Sequence, residues 1–308
     1  MKKTSLILAF LICLVACKDK EKENNTTEPV SEETQESPVV YVSNYPLYYF
    51  AEEIGGEAID LRFPASGETD PSGWVAGAET ILNMQQADLV IINGATFEKW
   101  RNNVTLEEAN ILNTTQGLDD RLLPLGEKFT HSHGEGGEHT HEGTASITWL
   151  DLELAIAQAE KVKNAFQELL PGKREEFQQN FQDLKQSLTD LDSNYDKLEV
   201  DPEKFQLIYS HPVYQYLQNA YSLKGESLHW EPGDAWNKDK KHEIEHLAKK
   251  GKKTYLIWED EPAKETKEGL EEMGVHSIVV NPVFGQPENL DFQEVIFKNL
   301  QNLQKIKE

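Results

Sequence analysis

Phe177, Phe181, Leu184, Leu188, Leu191, Tyr195 and Leu198 recur at alternating steps of four and three residues. That period puts all seven side chains on one stripe of a single long helix. A stripe of this length must be covered along its whole run, either by a coiled-coil partner or by the chain's own flanking parts. The flanking sequence favours the second. Upstream, short apolar runs at 39–43, 59–63 and 89–92 are each stopped by Pro, Asn or Gly, and helical stretches at 47–54 and 76–86 lie between them. Downstream the same alternation returns: strand-like runs at 205–209, 224–228, 254–258 and 277–280, with helical stretches between that include 214–220 and 242–249. Strands alternating with helices predict parallel sheets with crossover connections. Apolar runs without alternation predict strands covered on both faces. The expectation is an α/β fold of two parallel-sheet lobes joined by one long backbone helix, with a ligand cleft between the lobes. The divisions fall at 38–172 (N-terminal lobe), 173–199 (connecting helix) and 200–308 (C-terminal lobe).

The first residues read as an address rather than as fold. Lys2 and Lys3 precede an uncharged run from Leu6 to Val15, too short to span a bilayer as a mature helix. The run ends in Leu14-Val15-Ala16-Cys17, which looks like a bacterial lipobox. Residues 1–16 are then a lipoprotein signal peptide and Cys17 carries lipid. Residues 17–37 hold almost nothing apolar after that cysteine and form a disordered tether. The expected location is the cell envelope, lipid-anchored, either periplasmic or surface-exposed. With 54 Asp and Glu against 30 Lys and Arg, the formal charge of −24 argues against a nucleic-acid partner and against a polybasic contact with anionic lipid. Two cysteines exclude a disulfide framework and a Cys-based zinc finger.

Open parallel sheets bind ligands just beyond the carboxyl ends of their strands. In the second lobe those ends deliver His211, then His229 and Glu231, then Glu259 to Glu261, then Asn281. In the first they deliver Asn44, the segment with Asp70, Ser72 and Trp74, and Asn93, while Trp149 opens the next helix. Imidazoles and carboxylates converging on a cleft suit zinc or manganese. Two further signals stand apart. His131, His133, His139 and His141 fall among Gly and Glu in a tract at 131–141 that cannot form core, so it is a His-rich loop able to bind metal by composition. His242-Glu243-Ile244-Glu245-His246 matches HExxH, the helical zinc-peptidase pattern, but lysines crowd it on both sides as on a surface helix.

Several motifs occur in a fixed order: the lipobox; Pro46-Leu47; a run from Ala87 to Trp100 containing Ile92-Asn93-Gly94; the His-rich tract; Trp149-Leu150-Asp151; and Ser210-His211-Pro212-Val213-Tyr214. In this order the chain resembles the metal-specific solute-binding lipoproteins of ABC importers, the zinc/manganese family, over nearly its whole length from Val39. The resemblance implies two α/β lobes joined by a long helix. It also implies a monomer that hands a divalent cation, zinc ahead of manganese, to an ABC permease in the inner membrane. Of the family's usual ligands, His211 matches. Ser72 follows Pro71 where the family commonly has His, Ile147 stands at another His position, and Asn281 stands where a late Asp or Glu is usual. The chain therefore resembles a variant branch, in which His211, His229 and one of Glu231, Glu259 or Glu261 would be the protein ligands, with Asp70, Ser72, Trp74, Trp149 and Asn281 lining the cleft. Two other functions remain open from the residues: a degenerate binding protein that recognises an organic ligand or acts as a surface-interaction lipoprotein, and a peptidase acting through the HExxH pair. The first reading involves no catalysis.

Overall fold

The computed structural model describes residues 37–67, 70–125 and 143–307, and the backbone alone at 130–131 and 139–140. The signal peptide, Cys17 and the tether to residue 36 lie outside the described residues, as do His133 and His141.

The N-terminal half contributes β1 (Val39–Val42), α1 (Tyr45–Gly55), β2 (Asp60–Arg62), α2 (Ala78–Gln85), β3 (Leu89–Ile92) and β4 (Ile111–Asn113). They form a four-stranded sheet in the order β2-β1-β3-β4, with every pairing parallel. Two-residue strands β5 (Thr130–His131) and β6 (His139–Thr140) pair antiparallel, bringing the backbones of His131 and His139 opposite one another. Then come α3 (Leu152–Leu169) and α4 (Arg174–Tyr195). The C-terminal half adds β7 (Phe205–Tyr209), α5 (Gln215–Ala220), β8 (Gly225–Ser227), α6 (Lys238–Leu247), β9 (Lys253–Trp258), α7 (Lys264–Glu272), β10 (Val275–Val279) and α8 (Phe292–Leu303). Its sheet is again parallel throughout, in the order β10-β9-β7-β8.

The unbroken apolar runs have the expected cause. In β7 and β9, Leu207, Tyr209, Tyr255 and Ile257 join the large central core, while Ile208, Leu256 and Trp258 join a smaller one on the opposite face. In β1 and β3, Val40, Val42 and Ile91 face the central core, and Tyr41, Val90 and Ile92 face a third. Both sheets thus contribute one face to the same central cluster, which also takes in α1, α3, α4 and α8.

The helical stripe is fully used there. Phe177, Phe181, Leu184, Leu188 and Tyr195 of α4 are buried, and Leu191 and Leu198 pack against the same core, so no face is left for a coiled-coil partner. At 22 residues α4 runs ~33 Å, enough to pass along both halves. It does not do so alone: α3 packs along it through a turn at Pro171–Lys173, and the Tyr195 hydroxyl donates to the Ile296 carbonyl of α8 at 2.7 Å. Asp151 caps α3 through the Leu154 N–H, and Asp291 caps α8 in a reciprocal box with Glu294.

Candidate metal centre

Strand register assembles this site. Tyr209 of β7 pairs with Ile257 of β9 on one side and with Ser227 of β8 on the other. Two residues further along, the β7–β9 row continues past the strand ends as His211 and Glu259, while on the β8 side the chain shifts by one residue, the Trp230 N–H donating to the Ser210 carbonyl at 2.8 Å. Side chains two apart share a face, so His211 beside Glu259 follows from the pairing, and His229 joins them through its ring contact with His211. His211 Nδ1 lies 3.1 Å from Glu259 Oε1, and the His211 and His229 rings meet edge to face with centroids 5.7 Å apart. Glu231 reaches in from two residues beyond His229, its Oε1 3.8 Å from His211 Nδ1. The row crosses β7, whose neighbours on the two sides are β8 and β9, so it sits where the strand order reverses, the usual ligand position of open parallel sheets.

The row also explains which expected residues are absent from it. Ile257 pairs not with β10's last residue but with Ile278, so the residue level with Glu259 is Val280, not Asn281. A one-residue offset turns a side chain to the other face. Asn281 instead caps a turn, its Oδ1 accepting from the Val283 N–H at 2.7 Å. Glu261 is drawn to Lys267 (3.4 Å) and lies outside the cluster. Trp149 is fully buried: its indole N–H donates to the Pro282 carbonyl at 2.7 Å and its ring packs edge-on against Phe97 and Phe284. It is a packing residue, not a lining one. Trp74 is half-buried, edge-on to Trp100. Asp70 accepts from the backbone N–H and hydroxyl of Ser72, both at 2.9 Å, which fixes the turn at Pro71–Gly73.

Electrostatically the site attracts a cation. The hydrogen bond to Glu259 raises the His211 pKa above its ordinary value; burial opposes this, and the charges of Glu259, Glu231 and Asp70 reinforce it. Asp70, from the first half of the chain, is thus near enough to act on a histidine of the second. Among the described residues no three His, Cys, Asp or Glu side chains already stand in ligand geometry around one point. The donors are gathered at the strand ends, with Glu259 engaged on a ring nitrogen.

Sequence reasoning missed what holds these parts in place. Trp230, between His229 and Glu231, is buried; its indole N–H donates to Glu243 of α6 at 2.9 Å, and Lys240 covers its ring at 4.3 Å while pairing with Asp234 at 2.8 Å. The Glu of the HExxH match is therefore an anchor for the loop that carries His229 and Glu231. At the strand ends of the first sheet, Glu98 accepts from the Ser43 hydroxyl and the Asn93 N–H at 2.6 Å and from the Gly94 N–H at 3.0 Å. It clasps a turn in which Gly94, Ala95 and Thr96 all have positive φ. A Cβ on Gly94 would run into the side chains of Asn113 and Thr115. The Asn93-Gly94 pair was the visible sign of that turn.

A family model described as "Zinc-uptake complex component A periplasmic" (ZnuA) matches residues 40–306. The chain belongs to the ZnuA family. Among its relatives, the high-affinity zinc uptake system protein ZnuA of Bacillus subtilis (strain 168) is 25% identical over 327 residues, covering 97% of this chain and 95% of that one. The zinc-binding protein AdcA of Streptococcus pyogenes serotype M3 is 25% identical over 287 residues, covering 86% of this chain and 55% of its own. This chain therefore spans about half the length of the AdcA relatives. Among solved structures, the Zn(II)-bound ZnuA-like domain of Streptococcus pneumoniae AdcA superposes with a TM-score of 0.72 at 20% identity, covering 88% of this chain and 98% of that one. FpvC of Pseudomonas aeruginosa in complex with Mn2+ gives a TM-score of 0.67 at 18% identity, with coverage of 88% and 98%. Both share the two-lobe fold.

Proposed function

We propose that this ZnuA-family chain is an extracytoplasmic receptor that captures a divalent cation, zinc ahead of manganese, for an ABC importer. The observation that carries the reading is the row of His211, His229 and Glu259 on adjacent strand ends, with Glu231 beside it. Relatives named for zinc binding and zinc uptake support the choice of metal, and one named as a manganese lipoprotein keeps manganese as the second candidate. In this reading His211 and His229 supply nitrogen ligands and Glu231 an oxygen. Glu259 holds Nδ1 of His211 and leaves Nε2 for the metal, the carboxylate–histidine arrangement common around zinc. The protein works as a monomer without catalysis, passes its cargo to a permease in the inner membrane, and is held at the membrane by lipid on Cys17. The organic-ligand alternative loses two of its stacking surfaces, because Trp149 and Trp230 are consumed in packing.

The test is isothermal titration of zinc into the chain with His131, His133, His139 and His141 changed to Ala, so that the His-rich tract is silent. One tight equivalent, lost on adding His211→Ala, is the expected result. Unchanged binding after that substitution would overturn the reading. Glu259→Gln should weaken zinc binding roughly 10–100-fold while the stoichiometry stays the same, as for an outer partner of a ligand.

A further inference from the structure

The HExxH match has one part that the anchoring role of Glu243 does not explain. His242 and His246 stand one turn apart on the exposed face of α6, with ring centroids 5.6 Å apart and planes at 73°. A zinc ion at ~2.0–2.1 Å from one nitrogen of each of two imidazoles holds the ring centroids roughly 5 Å apart, so the pair needs only a small rotation to share an ion. Glu245, on the same face, places a carboxylate oxygen 3.8 Å from His242 Nδ1. The helix beneath is well fixed: Asn237 caps it through the Lys240 N–H at 2.9 Å, and Ile244 is fully buried.

We propose that His242 and His246 form a second divalent-metal site, a two-histidine chelate on the outer face of α6, completed by solvent. Nitrogen ligands select borderline transition ions such as zinc, nickel or copper over magnesium or calcium, which require oxygen. The site is not hydrolytic, because the residue that would serve as base, Glu243, accepts a hydrogen bond from the Trp230 indole. The same hydrogen bond places the chelate on the helix that anchors the loop carrying His229 and Glu231. A cation held here is thus outside the cleft but on the element that shapes it. The inference stands whether or not the cleft binds metal.

The experiment is titration of nickel or zinc at pH 7.5 into the full chain carrying His131→Ala, His133→Ala, His139→Ala, His141→Ala and His211→Ala. One equivalent should bind. It should be lost on His242→Ala and, separately, on His246→Ala. Amide exchange through 238–247 should slow when metal is added, because the ion bridges a helical turn. An otherwise native chain with either α6 substitution should bind one equivalent fewer while the His211-dependent equivalent persists, which separates this site from the cleft. No bound equivalent, or one that survives either substitution, would overturn the proposal.

Discussion

Glu98 is a buried carboxylate held by neutral donors, a hydroxyl and two backbone N–H groups. Truncating it strands the Asn93 and Gly94 N–H groups away from water, and each buried donor without a partner costs ~1–3 kcal/mol. Glu98→Ala should therefore lower stability by about 3 kcal/mol, read from the midpoint of urea unfolding. The acid also leaves a signature in pH. Burial raises its pKa despite those donors, so the folded chain keeps a proton that the unfolded chain has already released. Stability then falls as pH rises from the ordinary carboxyl value through the raised one. Glu98→Gln has no such proton, so the advantage of the wild-type chain over this variant should shrink across that window. A gap between the two that stays constant with pH would count against a raised Glu98.

At the scale of elements, α4 is the clearest case of structure legible in sequence. Its alternating steps of four and three mark the residues that the fold buries, and Leu188 is 0% exposed. Leu188→Ala should cost about 2–5 kcal/mol, whereas Lys185→Ala on the outer face should stay within ~0.5 kcal/mol, both by urea denaturation. The strands were legible for the same reason: burial on both faces writes a continuous apolar run. What escaped were elements without such a signal. β4 is only Ile111–Asn113, an edge strand between polar neighbours, and its few residues cannot establish a period. The site was legible in kind but not in detail. The rule that ligands gather at strand ends collects His211, His229 and Glu259 from sequence, yet it collects Asn281 and Glu261 equally well. Register removes Asn281, by showing that Val280 is level with Glu259, and the ion pair with Lys267 removes Glu261. Register depends on pairing between distant segments, which no local pattern records. Trp149 misleads for a related reason: an aromatic at a lobe junction reads the same whether it lines a cleft or fills the space beneath it.

At the scale of the molecule, the central core takes one face from each sheet and parts of five helices, α1, α3, α4, α5 and α8, so neither half can lose its packing without exposing the other. The two should unfold together, with circular dichroism and tryptophan fluorescence tracing coincident transitions. Two separated transitions would mean that the shared core is weaker than its continuity suggests. Cooperativity of this kind turns the proposed cargo into a reporter on the whole chain. An ion that binds only the folded state adds RT ln(1 + [L]/Kd), ~2.7 kcal/mol when free metal is 100-fold above Kd. For a body of this size each kcal/mol moves Tm by roughly 2–4 °C, so zinc should raise the melting temperature of the chain by about 5–10 °C. His211→Ala should remove most of that rise, since the central imidazole of the row is gone. His242→Ala should leave it nearly intact, since the chelate on α6 holds its ion through two exposed side chains and contributes little at the same metal concentration. If instead zinc raises Tm equally in wild type and His211→Ala, the strand-end row is not the site that couples metal to the fold.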